Sequence, residues 1–141
     1  MSRRMYKSGQ RWTFWRWTDV VINGVIYLQR LHLIQTPWFS VMLHWLTPDP
    51  QPDMHDHPVS FLSLLVRGWY QEEIPCDCDA AGLGTHIATR LAWNFKRATD
   101  RHRIVATSTP CVTLVFAGPV VRSWGFHTSR GWVPWRQYDQ R

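Results

Sequence analysis

Pro52-Asp53-Met54-His55-Asp56-His57-Pro58 runs directly into Val59-Ser60-Phe61-Leu62-Ser63-Leu64-Leu65-Val66-Arg67-Gly68, and this stretch governs how the rest of the chain is read. Turn residues open it, an apolar run rich in strand formers follows, and Gly68 closes it. Side chains at i and i+2 of a strand share a face, so His55 and His57 project together while Asp56 points away. Two neutral imidazoles on one rigid face are half of a site for Zn, Fe, Ni or Cu, and a further ligand must come from elsewhere. Just upstream, Pro48, Pro50 and Pro52 place three prolines in five residues. Each fixes its own φ, so this loop is stiff and delivers both histidines with little freedom.

Moving outward, residues 38–46 read as a strand with Ser40, Met42 and His44 on one face and Val41, Leu43 and Trp45 on the other. Asn23-Gly24 is a two-residue type I′ turn joining 20–22 to 25–28, strand character continues over 30–34, and 11–18 alternates loosely as a short strand or arm. Downstream, 69–74 and 85–93 are strand-like, 94–101 is a basic turn region, and 102–106 is a strand with His102 and Ile104 on one face. Residues 111–117 and 120–126 read as a hairpin across Gly118-Pro119, and 131–138 as an irregular aromatic flap. At the 75–84 loop tip, Cys76, Asp77, Cys78 and Asp79 suit an exposed loop better than a metal clasp, because the two thiols lack a partner pair. No helical periodicity, repeat or linker interrupts the series. Short strands with turn signals between them predict an all-β sandwich or barrel, as a single domain over 1–141.

Composition narrows the function. Apolar residues at 45% and charged residues at 18% fit a globular chain, and no apolar stretch approaches the ~20 residues of a membrane span. The basic N-terminus is followed by no apolar core or cleavage site, and three cysteines without Cys-x-x-Cys spacing fit a reducing cytoplasm. The net charge is +6, with Arg supplying 14 of the 16 basic residues, which favours planar, bidentate recognition of phosphate or carboxylate. Ten tryptophans add planar surface, most of it expected in the core. No run of alternating basic and aromatic residues is present, so extended nucleic acid is not an expected partner, and a small anion or nucleotide is.

The His-x-His pair entering a strand, Gly68 eleven positions after His57, and the lone His102 at the start of a later strand resemble the two motifs of the cupin superfamily. Cupins are jelly-roll barrels whose histidines converge on a divalent metal. The resemblance therefore implies a cupin-type double-stranded β-helix, with N-terminal strands and an aromatic C-terminal flap, holding Fe, Zn, Mn or Ni on His55, His57 and His102. Two departures stand out. Phe61 occupies the place of the glutamate that many cupins carry four residues after the second His, and Arg97 and Thr99 replace the Pro-x-Gly of the second motif. The surviving three-His set, with His55-Asp56-His57, resembles the triad of thiol dioxygenases. Thr36-Pro37-Trp38-Phe39, His55-Asp56-His57-Pro58, His102-Arg103-Ile104, Arg122-Ser123-Trp124-Gly125-Phe126 and Gly131-Trp132-Val133-Pro134-Trp135 are similar to small cupin-like proteins of tailed bacteriophages. That likeness implies a host cytoplasmic location and brings no activity with it.

Around the triad, Glu72 and His127 are candidate acid–base residues, although a solvated strand end and a surface histidine are the plainer readings. Arg101 and Arg103 alternate away from His102, which leaves Arg97 and Arg122 as anion-binding candidates. His44, Tyr70 and Trp124 complete the candidate pocket, with His44 otherwise a buried, hydrogen-bonded residue. Two functions compete: a metal-dependent oxygenase or hydrolase acting on an anionic metabolite or nucleotide, and a binding protein that captures such a molecule as a sponge or counter-defence factor. Pairing into a homodimer, through edge strands, is a further implication of the resemblance.

Overall fold

The computed structural model describes residues 12–77, 80–82 and 84–138, so the basic N-terminus and the loop-tip residues Cys78 and Asp79 lie outside the described residues. Twelve strands and one helical turn make up the described chain: β1 (Thr13–Ile22), β2 (Val25–Gln35), β3 (Ser40–Trp45), β4 (Met54–His55), β5 (Phe61–Arg67), β6 (Tyr70–Pro75), β7 (Thr85–Arg90), β8 (Trp93–Lys96), β9 (Arg103–Thr107), β10 (Val112–Ala117), β11 (Gly125–Thr128), β12 (Gly131–Pro134) and α1 (Trp135–Tyr138). The architecture is all-β and antiparallel, as its turn-punctuated apolar segments require.

One wall is a six-stranded sheet in the order β1-β2-β3-β10-β5-β8. The other is made of two three-stranded sheets, β12-β11-β4 and β7-β6-β9. A bridge between His55 and His102 joins their edges, with His55 N–H donating to the His102 carbonyl at 2.9 Å and the reverse bond at 3.0 Å. The second wall thus runs β12-β11-β4-β9-β6-β7 with a seam in its middle. Two histidines of the sequence motif form that seam.

Local chemistry explains the connections. Asn23 and Gly24 take φ values of 52° and 75°, the type I′ geometry that matches strand twist and closes the β1–β2 hairpin. Gly68 has a φ of 85°, and a Cβ there would collide with Ser108, whose Oγ accepts the Trp69 N–H at 2.8 Å. The proline loop docks through Asp49, whose N–H donates to the Ile104 carbonyl while its carboxylate accepts the Ile104 N–H, both at 2.8 Å. Three apolar clusters fill the interior: Ile22, Tyr27, Phe126 and Tyr138; Met42, Val115 and Ala117; and Tyr70, Ile104 and Cys111.

Four expectations are corrected. Residues 111–117 and 120–126 do not pair; β10 enters the middle of the large sheet between β3 and β5, and β11 pairs with β4 and β12. The backbone between them bonds instead to the β4–β5 connection, through Gly118 N–H to Ser60 and Val121 N–H to Pro58, both at 2.9 Å. The supposed basic turn at 94–101 begins inside β8, and the irregular tail is β12 followed by α1, with Tyr138 stacked on Phe126 at 3.9 Å. Cys111 is a buried free thiol whereas Cys76 is disulfide-bonded, which its spacing did not foretell. No helix among the described residues is long and apolar enough to cross a membrane.

Candidate metal centre

His55, His57 and His102 come together at the seam. Their ring centroids are separated by 5.2, 4.8 and 4.9 Å, close to an equilateral triangle, and one potential ligand atom from each lies within 4.8 Å of the others. Strand β4 ends at His55, so His57 sits just beyond it, anchored by its N–H to the Ala98 carbonyl at 3.0 Å. The Nε2 atoms of His57 and His102 are 3.1 Å apart. Two ring nitrogens sharing an ion at roughly 2.0–2.1 Å fall near that separation. A shared proton would serve two nitrogens; three converging imidazoles fit a metal.

Each flanking ligand has a carboxylate behind it. Glu72 is fully buried, and its Oε2 accepts the His102 Nδ1–H at 2.5 Å. That bond places the His102 proton on Nδ1 and leaves Nε2 with its lone pair toward the site. The other oxygen, Oε1, accepts from Arg90 Nε at 2.7 Å, Asn94 Nδ2 at 2.9 Å and Lys96 Nζ at 3.0 Å. Burial pushes the Glu72 carboxyl up, but the His102 bond and the Lys96 ammonium outweigh it and hold it down to about 2. On the other side, the Tyr27 hydroxyl lies 2.5 Å from His55 Nδ1, with Asp49 Oδ2 at 3.5 Å from the same nitrogen. Tyr27 also bonds to Asp49, whose carboxyl burial pushes up to about 7.

The electrostatics keep the triad neutral. Burial lowers the affinity of all three imidazoles for a proton; the neighbouring His102 lowers it further at His55 and His57, whereas Glu72 opposes the shift at His102. Neutral imidazole is the metal-binding form. Phe61, at the position of the cupin glutamate, packs edge-on to His57 at 4.9 Å, so an apolar ring stands where a fourth ligand would. With Glu72 balanced by Arg90 and Lys96, a dication bound here would keep its charge.

The remaining candidates occupy different ground. Glu72 is the orienting partner of His102 rather than a solvated strand end. His127 Nε2 donates to Asp56 Oδ2 at 3.0 Å, and the same carboxylate takes Trp132 Nε1 at 2.9 Å, Arg122 at 2.8 Å and the Gly125 N–H at 2.8 Å. Asp56 does point away from the triad, as alternation requires, and there ties the histidine segment to β11 and β12. Arg122 is held in that network. Arg97 is exposed, with its backbone N–H bonded to Asp100. Tyr70 lies in the core, accepting from Asn94 at 3.2 Å, and Trp124 packs beside His55 at 6.1 Å while stacking on Trp135. His44 faces the interior from β3, opposite Thr113 and Arg30.

Tyr27, Asp49, Asn94 and Lys96 were missed. Asn94 and Lys96 are buried while Trp93 and Phe95 are exposed, an inverted alternation that the usual apolar-inside rule misreads. Tyr27 and Asp49 are 28 and 6 positions from His55 in sequence, and nothing local links them to it.

No protein-family model matches this chain, and no match is found among curated proteins. Solved structures do match. Iron(II)-loaded HppE in complex with substrate superposes with a TM-score of 0.55 at 16% identity, covering 74% of this chain and 56% of that one. This chain therefore spans little more than half the length of that protein. The polyketide cyclase RemF from Streptomyces resistomycificus gives 0.52 at 16%, over 84% and 80%. The lyase DddQ from Ruegeria pomeroyi DSS-3, which acts on DMSP, gives 0.51 at 11%, over 74% and 56%. Identities this low speak to architecture: the chain has the cupin-type, RmlC-like jelly-roll fold, with a three-histidine cluster at the seam of its second wall.

Proposed function

We propose that this protein is a mononuclear metal-dependent enzyme acting on a small anionic molecule, with His55, His57 and His102 holding the ion. The observation that carries it is the pair formed by the Nε2–Nε2 separation of 3.1 Å and the Glu72 bond that turns the His102 lone pair into the gap. Orienting carboxylates of this kind accompany metal-ligating histidines, because they fix the tautomer and raise ligand basicity. A bound ion would supply Lewis acidity toward a coordinated substrate oxygen. The chain's own residues do the rest. Tyr27 and Glu72 hold the two flanking rings in their ligating tautomer, while Phe61 packs on His57 and Trp124 on His55.

The substrate class follows from charge. Three neutral ligands leave the dication uncompensated; an open cleft of about 560 Å³, lined by Lys96, Arg101 and His127 together with Asp100, reaches the centre only through the Lys96–Glu72 contact and not through the three histidines. An anion is drawn to the uncompensated dication. With Arg122 committed to Asp56 and Arg97 exposed, an arginine clamp of the kind a pure binding protein needs is less well supported than metal-centred recognition.

Elemental analysis of wild type and a His102→Ala variant, each reconstituted with iron(II), zinc, manganese and nickel in turn, tests the site. One ion per wild-type chain and little in the variant is expected; none in either removes the metal. Loaded protein is then incubated with nucleotides and small organic acids, with and without oxygen, and the mixture is read by mass spectrometry. Metal-dependent product is expected. Stoichiometric recovery of an unmodified ligand would replace the enzyme with a binding protein.

A further inference from the structure

The inward face of the six-stranded sheet carries polar groups that nothing in the fold satisfies. Cross-strand register sets Thr18, Arg30, His44, Thr113 and Leu65 in one row over β1, β2, β3, β10 and β5. The next row is Arg16, His32, Met42, Val115 and Ser63 over the same strands. His32 and Thr113 are 0 and 1% exposed. Yet His32 Nδ1, His44 Nε2 and Thr113 Oγ1 are buried with no hydrogen-bond partner among the described residues. A buried polar atom left unpartnered costs free energy, which a ligand reaching it recovers.

The direction of the hydrogen bonds decides what such a ligand must offer. Arg30 Nε–H donates to Thr18 Oγ1 at 2.9 Å, which leaves the single hydroxyl proton for His32 Nε2 at 3.1 Å. His32 Nε2 is therefore an acceptor, and the ring proton sits on Nδ1, the unpartnered atom. The chain from Arg30 through Thr18 thus delivers a polarised N–H into the interior. Thr113 adds a hydroxyl proton from the neighbouring row. Burial first, and Arg30 after it, keep His32 and His44 neutral, at about 4 and about 3. The inward positions of β1, β2, β3, β10 and β5 include Arg16 and Arg30 but no Asp or Glu.

We propose that this patch seats the carboxylate of a small organic acid, with His32 Nδ1–H and the Thr113 hydroxyl donating to its two oxygens. A positive patch without an acid favours an anion over water, and two donors from adjacent rows match the two oxygens of a carboxylate. The seat shares its chamber with the triad. Tyr27 of β2 meets His55, Phe61 of β5 meets His57, and Asn94 of β8 meets the Glu72 that orients His102. Along the sheet, the two polar rows run between Tyr27 and the row that ends in Phe61. The charges that bear on His32 and His44 come from Arg30, Arg16 and His32, not from the triad, so seat and triad are separate groups. An acid held here by one end can present its other end to the ion. The inference deepens the small-anion reading above and rests on it for what happens at that other end, whereas the seat itself needs no metal.

Melting of the full chain, metal-free and zinc-loaded, against millimolar lactate, succinate, glutarate and inorganic phosphate tests the seat. Metal content is measured separately on the same preparations. At least one of the carboxylates is expected to raise the wild-type melting temperature by mass action. Thr113→Val keeps the shape of the side chain and removes the unpartnered hydroxyl. It should melt several degrees above wild type without ligand, yet bind the stabilising acid about tenfold more weakly. Thr113→Ser keeps the hydroxyl and should keep the affinity. A Thr113→Val protein that melts below wild type overturns the proposal, because the hydroxyl then serves the fold, through ordered water for example. A wild type that no carboxylate stabilises, or that phosphate alone stabilises, overturns it too. So does an affinity unchanged in Thr113→Val, or lost equally in both variants. Loss of the metal assignment would leave the metal-free carboxylate shifts standing, and absent shifts would leave the metal content standing, so the two readings fail separately.

Discussion

Replacing Glu72 by Gln probes the centre while preserving its shape. The amide offers one acceptor oxygen and one donor nitrogen where the carboxylate had two acceptors. On the Oε1 side stand three donors, from Arg90, Asn94 and Lys96; on the Oε2 side stands one, His102 Nδ1–H. The amide oxygen therefore turns to the three donors, and its NH₂ faces His102. That forces Nδ1 to become an acceptor and moves the ring proton to Nε2, the atom 3.1 Å from His57 Nε2. A protonated Nε2 cannot ligate. Loss of such an orienting partner costs about 10–100-fold in metal affinity, or about 1.4–2.7 kcal/mol. Competition against a coloured chelator measures it directly on wild type and Glu72→Gln. Glu73→Gln is the control: the next residue along β6 faces outward and bonds Arg103 at 2.7 Å and Thr85 at 2.8 Å, so its affinity should match wild type. Wild-type affinity in Glu72→Gln would show that His102 is not oriented through this bond and that its tautomer does not govern metal binding.

Tyr27→Phe removes the hydroxyl behind His55 Nδ1 and should lower metal affinity about tenfold in the same competition assay; no change would mean that His55 is held by packing alone. Asp56→Ala strips four donors of one buried acceptor and should destabilise the fold by about 3–5 kcal/mol, read by urea unfolding, and a loss below about 1 kcal/mol would count against its role in tying the histidine segment to β11 and β12. His32 and His44 are held down to about 4 and about 3, mainly by burial and then by Arg30. Their folded values lie below the unfolded value of about 6.5, so their stabilising contribution is full above that pH. It falls by about 1.4 kcal/mol per unit for each as the pH drops toward 4. In metal-free protein, His32→Leu should remove one such slope, and identical pH profiles for variant and wild type would mean that His32 does not titrate on unfolding.

What sequence alone determines here is local: strands, turns and the residues that a short spacing places on one face. Asn23-Gly24 specifies its hairpin because both positions accept positive φ, and His55 and His57 project together because extended backbone repeats every two residues. The order His55, His57, Gly68, His102 was enough to expect a cupin-type barrel and a three-histidine cluster. Long-range register is another matter. That Glu72 lies against His102 depends on β6 pairing with β9, and that Tyr27 reaches His55 depends on the first hairpin folding over the second wall. Neither pairing leaves a mark on the local pattern, since an antiparallel strand accepts many partners of similar composition. The same limit hid the sheet's outer face. Trp93-Asn94-Phe95-Lys96 announces an alternation but not which side is inward, and only tertiary packing decided it. Glu72 needed Asn94 and Lys96 as buried partners, so the rings went out to solvent. A buried carboxylate without its donors costs more than exposed aromatic surface, and that difference set the orientation of the strand.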